Sequence, residues 1–237
     1  TWRRRRRDPP VNPILAGVAL AVIAGAVATV ASRDPRVAVL ALASTLILSP
    51  LLADPVAAPV GLAARFIGSI LAAYLLWIAV RDRPSVGPVS AATEGSRIGW
   101  PAEVLIAAAA SVVGYSAHGL GAPADGPALA SAAGFALAAL AVVPMLTGRD
   151  VLRMGTGLIL LLDAALVVRV GLGGTPDPLE QLVTSGLLVA LGGTLATLAM
   201  AARGDGTGGL ELTADSGPRR RWEPEAHPLD PAAGPPR

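Results

Sequence analysis

The sequence carries long apolar blocks with almost no charge inside them, and this pattern limits the fold more than any other feature. In hydrocarbon every backbone N–H and C=O must be satisfied within the crossing segment. A helix of about twenty apolar residues, rising about 1.5 Å per residue, does this across a bilayer. Seven segments qualify: 13–31, 37–53, 57–80, 102–121, 127–146, 151–172 and 179–202, the second being the shortest. Composition agrees, because 53% of the 237 residues are apolar and 15% are charged, whereas a soluble domain spreads its apolar residues in amphipathic stripes. The expectation is an all-α fold, a polytopic transmembrane helix bundle of about seven spans. Trp77 and Trp100 fall at the ends of the third and fourth segments, where amphipathic rings favour the headgroup layer.

Helix breakers stand where spans should end: Asp34-Pro35, Asp54-Pro55, Ala122-Pro123, Gly148 and the run from Gly171 to Pro178. The chain divides into a basic N-terminal segment (1–12), a three-helix membrane portion (13–80), a loop (81–101), a four-helix membrane portion (102–202) and a tail (203–237). The tail's rise in Gly, Pro and charge predicts disorder.

Several function classes are excluded by what the chain lacks. It contains no cysteine, which removes disulfides, thiolate zinc and iron–sulfur ligation. His118 and His227 are the only histidines and stand far apart, so no metal site and no cofactor is expected. No nucleophile–base pair or phosphate-binding loop can be assembled, so the chain is not expected to be an enzyme in itself. Net charge is +2, with the basic surplus in Arg3 to Arg7 and Arg219 to Arg221. These are short membrane flanks, and no basic face with stacking aromatics suggests nucleic acid. Every basic side chain is Arg, and Ala, Gly and Pro abound. That usage points to a GC-rich bacterial genome and so to a bacterial plasma membrane.

Arginine bias between alternate loops predicts orientation. Arg33 and Arg36, then Arg81, Arg83 and Arg97, then Arg149, and the tail from Arg203 share one side; loops holding only Asp54, Asp125 and Asp177 share the other. The multi-pass chain is therefore expected to keep its C-terminus in the cytoplasm. Seven spans then place the N-terminal arginines outside, against the same rule. An alternative reading takes the first apolar run as a signal peptide ending at Ala26-Val27-Ala28, which leaves six spans.

Helices in lipid associate through close backbone approach, marked by small residues at every fourth position. Gly17, Ala21 and Gly25 form such a stripe in the first span; Ala130, Gly134 and Ala138 do so in the fifth, and Gly186 and Ala190 in the seventh. Ionisable groups at depth cost several kcal/mol, so they are the best pointers to function. Asp163 lies near the middle of the sixth span, Arg65 about two turns into the third, Arg169 near the end of the sixth and His118 near the end of the fourth. Antiparallel threading sets Arg65 and Asp163 within about a turn of each other in depth, where pairing would neutralise both; the alternative for Arg65 is to snorkel to the near interface. Arg169 is about 120° around the helix from Asp163 and is expected to snorkel. His118 is expected to point into the bundle. Asp163 has no escape to water, and a carboxylate so deep must be paired, hydrated or protonated, states that suit a proton relay.

Thr147-Gly148-Arg149-Asp150-Val151-Leu152-Arg153, then Gly157 and the run to Val168, then Asp177-Pro178-Leu179-Glu180-Gln181, resemble the K subunit of complex I and the C subunit of Mrp-type antiporters. Over nearly its full length the chain resembles the hydrogenase-4 component E type of membrane subunit, which adds spans before a K-like portion. The arginine-bearing loop after the first span, Arg65 in the third and Gly208-Gly209-Leu210-Glu211-Leu212 after the last fit that pattern. The resemblance implies a non-catalytic membrane subunit of a proton- or sodium-translocating respiratory complex. Implied partners are antiporter-like and complex I-like membrane subunits in a hetero-oligomeric assembly in the lipid bilayer. One departure is that the K subunit's glutamate position is Ile159 here, with Asp163 four residues on and nearly on the same face. A second buried acid has no counterpart, since Leu187 to Thr197 contains none, so the alternatives are a purely structural scaffold subunit of such a complex or an independent small transporter.

Overall fold

A computed structural model describes residues 13–56, 58–81, 100–117, 126–148 and 150–204. Among the described residues are seven α-helices: α1 (Pro13–Ala31), α2 (Pro35–Leu48), α3 (Pro59–Arg81), α4 (Trp100–Ser116), α5 (Ala128–Thr147), α6 (Val151–Gly173) and α7 (Pro178–Gly204). A 3-10 turn, Ser49–Leu52, prolongs α2. With that turn counted, six helices are long and apolar enough to cross a membrane, and α4 is a shorter apolar seventh. The N-terminal segment, most of the 81–101 loop, His118 and the tail beyond Gly204 lie outside the described residues.

Local chemistry sets the helix boundaries. Asp34 caps α2 by accepting from the backbone N–H of Arg36 at 2.8 Å, with Pro35 opening the first turn. Proline costs nothing there, because the first-turn N–H groups have no helical partner. Asp150 caps α6 in the same way, accepting from the N–H of Leu152. Gly174 ends α6 at a φ of 74°, a left-handed conformation that glycine adopts without Cβ strain.

The helices run alternately up and down. One end of the bundle gathers Arg33, Arg36, Arg81 and Arg153; there Arg36 donates to the carbonyl of Arg81 at 2.7 Å. The opposite end holds Asp54, Gly174 and Glu180. α5 and α6 form the most extensive pair, α7 lies along α3, and α6 and α7 touch much less. α1 is built into the interior, with Val22 and Ala26 wholly buried against α2, α4 and α5.

Small residues make these approaches close, though not on every stripe the spacing suggests. A Cβ at Gly134 would stand 2.7 Å from the backbone nitrogen of Val168, and one at Gly157 would stand 2.9 Å from the carbonyl of Ala141. The α5 stripe is therefore the seam with α6. In contrast, a Cβ at Gly17 or Gly186 would meet nothing within 4 Å, and Ala21 and Ala190 are exposed. α7 instead turns Gln181, Ser185 and Gly192 to α3, where they meet Gly61, Gly68 and Ala72. Of the α1 stripe only Gly25 is in contact, against Thr45 of α2. Large apolar side chains such as Leu20, Val60, Leu105, Leu146 and Leu179 face outward, as a bilayer-facing surface requires.

Candidate functional site

Halfway along α6, Asp163 is wholly buried, and Arg65 of α3 is only 5% exposed beside it. Arg65 Nη2 donates to Asp163 Oδ1 at 2.5 Å, and the Ser49 hydroxyl donates to the same oxygen at 2.8 Å. The pairing expected from threading depth is thus present.

Ser49 reaches the carboxylate because of the residue after it. In a continuing helix the Leu46 carbonyl would accept from the N–H of residue 50, but Pro50 has none. A buried carbonyl left open is costly, and the Ser69 hydroxyl closes it at 3.0 Å. Ser49 Oγ also lies 3.3 Å from that carbonyl. A hydroxyl has one proton to give, and the shorter, charge-assisted contact to Asp163 is the stronger use of it.

The centre is incompletely bonded. Asp163 Oδ2 and Arg65 Nη1 are both buried without a protein hydrogen-bond partner. Such groups are rare in folded proteins and expensive in free energy, so they mark a place where a proton or a water molecule is useful.

A second buried acid behaves differently. Glu103, in the first turn of α4 and 1% exposed, receives Arg153 Nη1 at 2.7 Å on both oxygens, and the Thr147 hydroxyl at 3.0 Å. Arg153 also reaches toward the Ser32 carbonyl at 3.4 Å. This cluster joins one end of each of α1, α4, α5 and α6, and neither carboxylate oxygen lacks a partner, as a structural staple requires. Replacing Glu103 by Ala is expected to lower stability by about 3 kcal/mol, the usual cost of breaking a buried pair, as thermal unfolding would measure.

Arg169, near the end of α6, has a side chain 45% exposed that meets Glu180 of α7 at 3.2 Å. It takes no part in the Asp163 pair but stands at the mouth of a cleft leading to it. That cleft, a partly open cavity of about 50 Å³, lies between the 3-10 turn, α3, α6 and α7. Ser49, Arg65, Val167, Arg169, Glu180 and Thr184 line it. Among the described residues no three metal-ligating side chains converge.

Sequence reasoning found Asp163 and Arg65 but not Ser49 or the Glu103–Arg153 staple. A Ser-Pro pair at the end of a span, and an acid one turn inside the next apolar block, were the available signals. The chain matches no family model, no curated protein and no solved structure.

Proposed function

We propose that this chain is a non-catalytic membrane subunit of a proton- or sodium-translocating respiratory complex related to complex I, group 4 hydrogenases or Mrp antiporters. In this reading the Arg65–Asp163 pair forms part of the ion path. The observation that carries it is a wholly buried carboxylate with one oxygen unpartnered, beside an arginine that opens on a cleft. A pair kept only for stability would be fully bonded, as Glu103 and Arg153 are. The resemblance of the residues from Thr147 to Gln181 to a K-like subunit supports the family. The outward-facing small residues of α1 and α7 suit close packing against neighbouring membrane subunits. The arginine bias between alternate loops supports a cytoplasmic C-terminus, and the lysine-free composition rich in Ala, Gly and Pro supports a bacterial plasma membrane.

A second reading keeps the complex and denies the path. α7 offers no acid between Leu187 and Thr197, so this chain would act as a spacing and sealing scaffold. Asp163→Asn in the assembled complex separates the two. Asparagine keeps the shape and can still accept from Ser49 but carries no exchangeable charge. The expected result is proton or sodium translocation per assembled complex reduced about tenfold or more, the scale on which loss of a proton-transfer group acts, with some loss of stability because Arg65 is left without its counter-charge. Undiminished pumping with normal assembly would reject the path. Co-purification of antiporter-like proteins with the chain tests the family.

A further inference from the structure

The cleft beside the buried pair changes character along its depth. At its mouth, on the end of the bundle where α6 terminates, stand the partly exposed Arg169 and Glu180. Thr184 follows, and the buried wall holds Ser49 and Arg65. Arg65 lines that wall, and its Nη1, buried behind it, has no protein hydrogen-bond partner. Water enters a cavity when it is roomy and offers two or more polar partners, and a guanidinium nitrogen left unbonded in the interior rewards any molecule that can accept from it. The charges lining the cleft are already balanced, Arg169 by Glu180 and Arg65 by Asp163, so there is no surplus to select an anion. Much of the wall is apolar, with Pro50, Ala53, Leu166 and Val170 beside the polar groups, and water is the occupant that the hydroxyls and the guanidinium among them can hold.

The other direction is closed. From Asp163 to Arg153 is ten residues of α6, about 15 Å along the axis. Helix register places Leu42 and Leu46 of α2, Leu76 of α3, Leu140 of α5, and Ile159 and Leu160 of α6 in that interval, all of them buried. The hydroxyls of Thr45 and Thr156 in the same interval bond to their own helices, at Ala41 and Arg153. Beyond the leucines stands the fully bonded Glu103–Arg153 staple.

We infer that the cleft between the 3-10 turn, α3, α6 and α7 is a water-filled access route joining the Arg65–Asp163 pair to the α6 C-terminal end of the bundle alone, with a leucine layer sealing the pair from the arginine-rich end. The route deepens the ion-path reading by giving that pair one side to exchange with. Its existence, however, is a property of the packing and can be tested without any translocation.

The chain contains no cysteine, so a single introduced thiol reports its own surroundings. The probes are Thr184→Cys, Val167→Cys and Ser49→Cys in the cleft and Leu160→Cys in the leucine layer. Asp177→Cys and Arg33→Cys mark the two surfaces. Vesicles of known orientation holding the full chain in its native complex are treated with a small membrane-impermeant methanethiosulfonate cation from one side or the other. The cleft thiols are expected to react from the same side as Asp177→Cys, and about tenfold or more faster than Leu160→Cys, because only a hydrated thiol ionises and reacts. Leu160→Cys should stay unmodified from either side. Three results would overturn the inference: cleft thiols inert while Asp177→Cys reacts, which means a lipid chain fills the space; Thr184→Cys reactive but both Val167→Cys and Ser49→Cys inert; or Leu160→Cys reactive from the Arg33 side. Modification does not depend on pumping, so failure here and failure of the Asp163→Asn test are independent results.

Discussion

Replacing Arg65 by Leu should destabilise the bundle by about 3–5 kcal/mol, the scale for removing one member of a buried ion pair. Asp163 is wholly buried, and without Arg65 only the Ser49 hydroxyl remains to it. A carboxylate in that position must be protonated or drag water inward, and both cost free energy. The same argument predicts rescue: Arg65→Leu with Asp163→Leu removes both charges and should recover most of the loss, because an apolar pair needs no partner. Thermal unfolding of the purified single and double variants measures the difference. If both unfold at the same temperature, the two side chains are not coupled.

Gly171→Val should be at least as damaging. A Cβ at Gly171 would fall on the backbone of Ser131, and backbone has no rotamer with which to yield. The α5–α6 seam would have to separate, at the cost of dispersion contacts along its whole length. Overpacking typically costs about 1–3 kcal/mol where side chains can shift, and a clash with backbone belongs at or above the upper end. The yield of folded protein in detergent should collapse for Gly171→Val. Gly186→Val is the control: nothing lies within 4 Å of its Cβ position, so the isolated chain should tolerate it.

The bundle was legible in the sequence because span length and the absence of charge are local properties. Depth was legible too, since fixed rise per residue brought Arg65 and Asp163 to one level before any contact was known. What the sequence hid was azimuth. Gly17, Gly134 and Gly186 carry the same four-residue spacing with a small partner, yet only Gly134 sits in a seam; which face turns inward depends on neighbours that no single helix records. Ser49 was hidden for a related reason: its role depends on Pro50 ending regular hydrogen bonding just where α2 meets α6 and α3. Glu103 was masked by position, since an acid in a first helical turn is ordinary capping chemistry until Arg153 is brought across to it.

α7 packs chiefly on α3 and much less on α6, and Arg65 of α3 is fastened to Asp163 of α6. The bond that would hold or release a proton is therefore also a rivet between two groups of helices. Titrating that single carboxyl would alter the grip of one group on the other, so that chemistry at one atom and mechanics across the bundle draw on the same contact.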